Sequence, residues 1–233
     1  MFMTRYFPDM ALDDPPYYIV PTCHEPLLLR YQDAHCIVIE KPAFLLSVPG
    51  RGPENQDSAT HRLQQDEPET RVVHRLDLDT SGLMVFAVGI EAQRVLNRAF
   101  AERQVEKEYI AEVDGLPDAD SGDITLPIAP DWANRPRQRI CHERGKQALT
   151  RYSVLSRHPE EDKTRLLLRP VTGRSHQLRI HLREIGHAII GCDLYAPPHV
   201  LARSPRLHLH ASKLGFHHPA SGEWLTFSSP APF

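Results

Sequence analysis

The chain has 233 residues, 41% of them apolar, which is enough to bury the core of one large domain or two small ones. No run of about 18 apolar residues occurs, and acids and prolines interrupt the N-terminus, so a membrane-spanning helix and a secretory signal are excluded and a soluble, cytoplasmic protein is predicted. The net charge of −3 hides an asymmetry, because residues 131–183 carry 13 Lys/Arg against 5 Asp/Glu, a composition suited to docking a polyanion.

The first 30 residues are acidic and rich in proline, and they show no periodicity that would support a helix. We therefore expect residues 1–30 to form an extended or partly disordered arm. Residues 31–233 are then expected to form a single domain.

The remaining elements predict an α+β fold. Residues 35–42 form a short apolar run closed by a proline, which is typical of a buried strand, and residues 82–88 predict a second strand. A short helix is expected over 58–65, and 90–103 has the spacing of an amphipathic helix on a sheet. Because the strands do not alternate regularly with helices, we expect a largely antiparallel mixed sheet with flanking helices. Further strands are predicted at 107–113, 122–128, 149–155, 164–170, 187–191, 206–212 and 223–227.

A polar cluster precedes the strand at 82–88. His74, Arg75, Asp77 and Asp79 stand at what should be the edge of the sheet, where loops on a rigid base present functional groups. The following Thr80-Ser81-Gly82 can form a tight turn. The alternative is that Asp77 only caps that turn, as Asp commonly does.

A helix with an arginine at its start is predicted after residue 174. Ser175 can cap this helix and Gly186 can end it. At 100° per residue Arg174 falls near the apolar stripe of Leu178, so its charge needs a buried partner, and we infer that this partner is Asp77. The pair would keep Asp77 ionised as a nucleophile or base, although it could also be purely structural. On the opposite face, facing RNA phosphates, we expect His176, Arg179 and Arg183.

Two other segments combine aromatic and basic residues. Lys107 and Tyr109 lie on the same side of a predicted strand, where the tyrosine could stack on an unpaired base or simply pack in the core. The loop that follows residue 130 contains one aromatic residue among arginines, a mixture that suits a grip on RNA. Its members are Trp132, Arg135, Arg137 and Arg139.

These residues carry a family resemblance. His74-Arg75-Leu76-Asp77 followed by Thr80-Ser81-Gly82 resembles the HRLDxxTSG signature of the pseudouridine synthases of the ribosomal large-subunit type. Three further matches follow in the expected order, and together they cover the chain from about residue 30 to the C-terminus. They are Glu40-Lys41-Pro42, Lys107-Glu108-Tyr109 and residues 172–179, TGRSHQLR.

The resemblance implies a role for each candidate residue. Asp77 is the expected catalytic carboxylate, Tyr109 stacks on the target uracil, and Arg174 pairs with Asp77. Asp79 falls at a variable position of the signature and is expected to face solvent. Arg75 is expected to fill the place of a uridine flipped out of the RNA. The expected substrate-binding set is His74, Arg75, Thr80, Lys107, Arg135, Arg137, His176, Gln177 and Arg179.

The resemblance also implies the reaction and its partners. It predicts the pseudouridine-synthase catalytic fold and the isomerisation of uridine to pseudouridine without a cofactor or a metal. The expected partners are structured RNAs, namely 23S rRNA and a tRNA anticodon stem-loop, with no membrane and no obligate protein partner, so the protein should be a monomer. Many members carry a separate S4-like RNA-binding domain, and none is expected here, which leaves recognition to the catalytic domain.

Two other functions stay open at this point. The same arginines could serve an RNA-binding module that does not catalyse a reaction. A metal-dependent hydrolase could instead use the closely spaced His208, His210, His217 and His218, although no carboxylate or cysteine stands at a familiar ligand spacing. The four cysteines are scattered and are expected to be small apolar residues of the interior.

Overall fold

The structure is a computed structural model, and it describes residues 18–233. Most of the predicted arm, residues 1–17, lies outside the described residues. Residues 18–27 have no regular structure but are held by side chains of the first half of the chain: Asn55 accepts from the Val20 amide, and Arg62 donates to the carbonyls of Cys23 and Glu25. The described residues divide into two compact units, so the single domain expected over 31–233 stays a prediction.

The first unit comprises the chain up to Val105 together with Gly215–Phe227. Its strands pair antiparallel in the order β1-β2-β4, and β3 also pairs with β4. Strand β4 is buried along almost its whole length, as the continuous apolar run from Leu83 to Ala87 predicts for a strand that is covered on both faces. The elements are β1 (Leu28–Gln32), β2 (Cys36–Lys41), α1 (Ala59–Asp66), β3 (Thr70–Val72), β4 (Ser81–Val88) and α2 (Ile90–Ala101).

The second unit comprises Glu106–Leu214 and Ser228–Phe233. Its sheet has the order β11-β5-β10-β9-β6, and a separate antiparallel hairpin joins β7 to β8. The elements that begin in this unit are β5 (Glu106–Asp114), β6 (Ser121–Ile124), β7 (Ile128–Pro130), β8 (Gln138–Ile140), β9 (Thr150–His158), β10 (Lys163–Pro170), α3 (Gln177–Glu184), α4 (Pro198–Leu201) and β11 (Leu209–His217). The end of β11 from Gly215 and nearly all of β12 (Trp224–Ser228) belong to the first unit.

One predicted strand is wrong. Residues 187–191 form a single bridge, between Ile189 and Val113, because the segment is short and lies between two glycines with positive φ. At Gly191 a Cβ atom would stand 1.9 Å from the carbonyl oxygen of Arg206, so the close approach of the backbone there requires glycine. The segment is nevertheless part of the buried core, as its apolar composition indicates.

The core of the second unit lies between its sheet and α3. Leu166 and Leu168 of β10 pack with Ile180 and Leu182 of α3, and all four are essentially inaccessible to solvent. Three cysteines are buried and Cys141 is half-buried. Among residues 18–233 no helix is both long and apolar enough to cross a membrane.

Candidate active site

The HRLD motif lies in an irregular loop between β3 and β4, and Ser47 holds this loop at its centre. The Ser47 hydroxyl donates to the carbonyl of Leu76 over 2.7 Å and accepts from the amide of Leu76 over 3.1 Å. Both residues are buried. Because a loop has no ladder of backbone hydrogen bonds, this double contact fixes the residue immediately before Asp77.

Lys41, at the end of β2, contacts the same loop through its ammonium group. Its ammonium group is completely buried and donates to the carbonyls of Pro42, Leu45 and Leu78, at 2.8, 2.7 and 3.2 Å. A buried ammonium is tolerated only when its donors are satisfied, and these three acceptors meet that requirement. The sequence places Lys41 only at a strand end; a lysine closing an otherwise apolar strand is the signal that could have revealed this role.

His74, expected to bind substrate, makes contacts within the protein. Its Nε2 accepts from the amide of Val85 over 3.1 Å, so the proton of the neutral ring is on Nδ1. The ring also stacks on Phe100, with centroids 4.6 Å apart. In these contacts His74 positions the loop against β4 and α2, while Arg75 next to it is exposed.

The two aspartates of the motif differ in burial, and the expectation for Asp79 is wrong. Asp79 is only 5% exposed and Thr80 only 2%, whereas Asp77 is half-buried. The Asp77 carbonyl accepts from the Thr80 amide over 3.1 Å, which closes a turn and draws Asp79 and Thr80 into the interior. A variable position in a signature therefore does not mean an exposed one. Thr80, expected to bind substrate, is the residue that closes this turn, and it is buried.

Lys107 and Tyr109 lie on the same side of β5, as predicted from their spacing. Tyr109 is half-buried and packs against the core of the second unit. Burial lowers the pKa of the Lys107 ammonium below its ordinary value. No hydrogen bond or ion pair links Lys107 to another described residue, so it is a partly desolvated cation on the strand that carries Tyr109.

The turn before α3 is organised by Gln177 and not by the expected cap Ser175. Oε1 of the Gln177 side chain accepts from the Thr172 hydroxyl over 2.7 Å and from the Arg174 backbone amide over 3.1 Å. Nε2 of the same side chain donates to the backbone carbonyl of Leu149. Gln177 is buried, and its hydrogen bonds stabilise the turn. The helix begins at Gln177, so Arg174 lies outside it.

Arg174 is therefore not on the apolar stripe of α3, and the helical argument for its burial is wrong. The helix begins at Gln177, after His176 with φ of 54°, and Arg174 is half-buried with its Nε donating to the carbonyl of Gln147. Asp77 belongs to the first unit, and Tyr109 and Arg174 belong to the second. The pair between Asp77 and Arg174 stays a prediction.

Arg179, expected to face RNA phosphates, is buried. Only 2% of it is exposed, and its guanidinium pairs with Asp193 and donates to the Cys192 sulfur. It also lies 5.5 Å from the centre of the Tyr195 ring. Because it is buried with a carboxylate partner, Arg179 is a structural residue of α3. The prediction that it faces RNA phosphates is wrong.

His176 and Tyr195 connect the start of α3 to the β7–β8 hairpin. The Tyr195 hydroxyl accepts from the amide of Gln138 in β8 over 2.8 Å and lies 2.7 Å from Nδ1 of His176. Sequence reasoning missed Tyr195 and Asp193, because neither belongs to a recognised motif. An open cavity of about 740 Å³ lies beside this contact, lined by Arg137, Arg139 and Arg183 among others.

The hairpin presents its basic residues to solvent. Arg135 and Arg139 are exposed, Arg137 is half-buried, and Trp132 is 69% exposed. This arrangement agrees with the predicted basic loop.

The four closely spaced histidines contact four different partners. His208 lies beside Glu112, His210 beside Ser229, His217 beside the Gly222 carbonyl and His218 beside Asp33. His217 and His218 are adjacent and point to opposite faces of the chain, whereas His208 and His210 are separated by their different partners, Glu112 and Ser229, so closeness in sequence does not make these rings one cluster.

His218 contributes to a group whose ligand atoms lie within 4.8 Å of one another, together with Asp33 and Cys36. Its Nε2 donates to the Asp33 carboxylate over 2.7 Å, and its Nδ1 accepts from the Ser221 amide over 3.0 Å. Burial tends to raise the pKa of Asp33, but hydrogen bonds, from the amides of His35 and Cys36 above all, hold it well below the ordinary value. The atoms of this group are thus engaged with one another as a hydrogen-bonded cluster.

Comparison with known proteins decides the family. Residues 35–184 match the family described as RNA pseudouridylate synthase. The chain belongs to the RNA pseudouridylate synthase family. The matched segment contains the HRLD loop, β5, the basic hairpin and all of α3.

Relatives and solved structures agree with this membership in the RNA pseudouridylate synthase family. The chain is 50% identical over 217 residues to the dual-specificity RNA pseudouridine synthase RluA of Pasteurella multocida, covering 93% of this chain and 98% of the relative. It is 47% identical over 207 residues to the protein of that name from Escherichia coli K12, covering 89% and 94%. Human RNA pseudouridylate synthase domain containing 1 has a similar structure, with a TM-score of 0.76, 28% identity and coverage of 91% and 86%.

These findings confirm three predictions made from the sequence. The family indicated by the HRLDxxTSG signature is confirmed, and so are the α+β fold class and the pseudouridine synthase as the class of enzyme. The RNA-binding module without catalysis and the metal-dependent hydrolase are not favoured.

Proposed function

We propose that this RNA pseudouridine synthase isomerises uridines in 23S rRNA and in a tRNA anticodon stem-loop, with Asp77 as the catalytic carboxylate. The observation that carries the assignment to Asp77 is the support of the HRLD loop by Ser47 and Lys41, which fixes the chain on both sides of a half-buried carboxylate. A side chain placed by rigid buried contacts is suited to meeting a reacting atom at a defined position.

The reaction leaves the composition of the nucleotide unchanged. The N1–C1′ bond of the uridine breaks, the uracil turns in its pocket, and a C5–C1′ bond forms; the C5 proton is lost to water and N1 gains a proton. Asp77 serves this sequence as a nucleophile or base. We propose that Tyr109 stacks on the uracil and that Arg174 keeps the Asp77 carboxylate ionised.

The remaining residues position or contact the RNA. Arg75 is exposed beside Asp77 and would replace the flipped uridine in the RNA stack. Lys107, Arg135 and Arg137 would contact phosphates, since each carries a positive charge on a residue that is exposed or half-buried. We propose that the enzyme acts as a monomer in the cytoplasm, with no cofactor and no metal.

Release of tritium from RNA labelled at uridine C5 tests this function. The native protein is incubated with 23S rRNA and with a tRNA anticodon stem-loop transcript, with and without a chelator. We expect release from both RNAs, unaffected by the chelator, and none with Asp77→Asn, which should still bind RNA because the change is isosteric. Asp66→Asn, at an exposed carboxylate in α1, is the matched control and should release tritium normally.

Each part of the proposal has its own contrary result. Substantial release with Asp77→Asn would overturn the catalytic assignment. Release from one RNA alone would overturn the dual specificity. Binding without any release would favour an RNA-binding module, and loss of activity on chelation would favour a metal-dependent enzyme.

A further inference from the structure

The most exposed large apolar side chain of the described residues is Trp132, at 69%. It begins the short 3-10 turn Trp132–Asn134 in the β7–β8 hairpin. Leaving an indole in water forgoes the free energy that burial of so large a ring would contribute. Exposed tryptophans of this kind are enriched where a second molecule covers them.

Arg135 covers one side of this ring. Its guanidinium carbon lies 4.0 Å from the centre of the Trp132 ring, which is a cation–π stack. The guanidinium restricts the orientation of the indole and brings a positive charge next to it. An aromatic ring with a cation stacked on one side offers its other side to a second planar group.

The turn that carries the stack is held in shape by its own hydrogen bonds. The Asn134 amide donates to the Asp131 carbonyl, and its side chain donates to the Asp131 carboxylate over 2.9 Å. The Arg137 amide donates to the Asn134 carbonyl, and the Asp131 amide donates to the Arg137 carbonyl. Trp132 is thus presented from an ordered turn, so less conformational entropy is lost when a ligand stacks on it.

The surrounding charge selects the ligand. Residues 132–146, both ends included, contain five Lys/Arg and one Asp/Glu. A surface that combines positive charge with an exposed aromatic ring suits single-stranded nucleic acid, in which the backbone is anionic and each base has a π-face. An apolar peptide would gain nothing from these arginines.

We propose that Trp132 and Arg135 form a stacking platform for an unpaired base of the RNA substrate, distinct from the uridine that is isomerised. This rests on the proposed function, because it takes the RNA stem-loop as the ligand. The platform adds a contact to a neighbouring base of the loop. It therefore contributes to which stem-loops the enzyme accepts, and not to the chemical step.

Tryptophan fluorescence tests the stacking directly, because the chain has two tryptophans. In Trp224→Phe, Trp132 is the sole tryptophan, and stacking of a base should quench its emission when the anticodon stem-loop RNA is added. A series of RNAs, each with one abasic loop position, should restore the emission at one position. That position should differ from the modified uridine.

Affinity measurements with full-length variants complete the test. Trp132→Ala should bind the stem-loop between about 5-fold and about 150-fold more weakly, the range expected for one base–aromatic stack, with kcat nearly unchanged at saturating RNA. Trp132→Phe should recover most of the affinity because it keeps a ring. Trp224→Ala is the control: Trp224 is 42% exposed on β12, donates to Thr226 and should leave RNA affinity unchanged.

The outcomes separate this inference from the proposed function. Tritium release by the native protein, with equal RNA affinity for the native protein and Trp132→Ala, would overturn the platform and leave the enzyme assignment intact. Quenching that persists with every abasic RNA would also overturn it. Absence of tritium release, with position-specific quenching retained, would overturn the enzyme assignment and leave the platform intact. A concentration-dependent dimer that Trp132→Ala abolishes would mean that a second copy of the chain covers the ring.

Discussion

The hydroxyl of Ser47 both donates to and accepts from the backbone of Leu76, 29 residues further along the chain. This one side chain satisfies both polar groups of a buried residue that has no partner strand at that point. The next residue is Asp77. The position of the proposed catalytic carboxylate thus depends on a serine that belongs to no catalytic motif.

Ser47→Ala should therefore affect both stability and catalysis. Each buried backbone group left unpaired costs about 1–3 kcal/mol, so the free energy of unfolding should fall by about 2 kcal/mol or more. Displacement of Asp77 should lower kcat about tenfold or more with a smaller change in KM. Urea unfolding and the initial rate of tritium release measure the two effects. Ser121→Ala, at an exposed residue of β6, is the control, and a fully stable and active Ser47→Ala would disprove this dependence.

Lys107→Gln should weaken RNA binding without destabilising the protein. Because burial lowers the pKa of Lys107, the unfolded chain binds the proton more tightly, and the charged form opposes folding at neutral pH. The native protein should gain stability as the pH rises toward the ordinary lysine value, and the variant should lack this gain. If the ammonium contacts a phosphate, the slope of log affinity against log salt should decrease by about 0.7 to 1.

Lys213→Gln is the matched control for Lys107. Lys213 pairs with Glu106 over 2.9 Å, and that hydrogen bond raises its pKa. Its loss should leave the salt slope of RNA binding unchanged. An unchanged slope in Lys107→Gln as well would remove Lys107 from the RNA contacts.

The features that could be predicted from the sequence are those that depend on residues close together in the chain. The strand at Cys36–Lys41, the helix at Ile90–Ala101 and the HRLD signature were predictable, because apolar periodicity and short motifs are local properties of the chain. Arg174 was misplaced because a helix was assumed from residue 175, whereas the left-handed His176 delays the helix start to Gln177. Arg179 was misplaced for another reason: residues 177–182 are all buried, so α3 has no exposed face there, and Asp193, which pairs with Arg179, lies outside the helix.

The supports of the site could not be predicted for a different reason. Ser47, Lys41 and Tyr195 act through contacts with residues 29, 37 and 57 positions away in the chain. No local pattern encodes such a contact. Asp79 shows the reverse case, since its motif position indicates exposure and the turn closed by Thr80 buries it.

His181 should make the protein less stable in mild acid. It is fully buried; its Nε2 donates to the Leu126 carbonyl over 3.0 Å, and its Nδ1 faces the Thr150 hydroxyl. Burial lowers its pKa below the ordinary 6.5, so the unfolded chain takes up a proton that the folded protein does not. The free energy of unfolding should therefore fall as the pH drops below about 6.5, by at most about 1.4 kcal/mol per pH unit for this group.

The slope of stability against pH, and not its level, is the quantity to measure for His181. His181→Gln should reduce the slope between pH 7 and pH 5 by up to one proton, even if it lowers stability at every pH. His199→Gln, at a histidine with a 72% exposed side chain in α4, is the control for the substitution itself. His208 also has a pKa lowered by burial, so a residual slope is expected in His181→Gln. An unchanged slope would show that His181 does not titrate in this way.

Tyr195→Phe should loosen the basic hairpin while preserving the packing of the ring. The substitution removes only the hydroxyl that accepts from the Gln138 amide and contacts His176, and it keeps the ring beside Arg179. Loss of a hydrogen bond worth about 1 kcal/mol corresponds to about fivefold, so we expect hydrogen exchange at Gln138 to accelerate and RNA affinity to fall by about that factor. The kcat at saturating RNA should change little, because Tyr195 touches no reacting atom in the proposed mechanism.

Tyr31→Phe is the control. It removes a phenol hydroxyl that donates to Asp33 in the first unit, and it should alter neither hydrogen exchange at Gln138 nor RNA affinity. A lower kcat with unchanged affinity in Tyr195→Phe would instead place Tyr195 in the support of the catalytic groups.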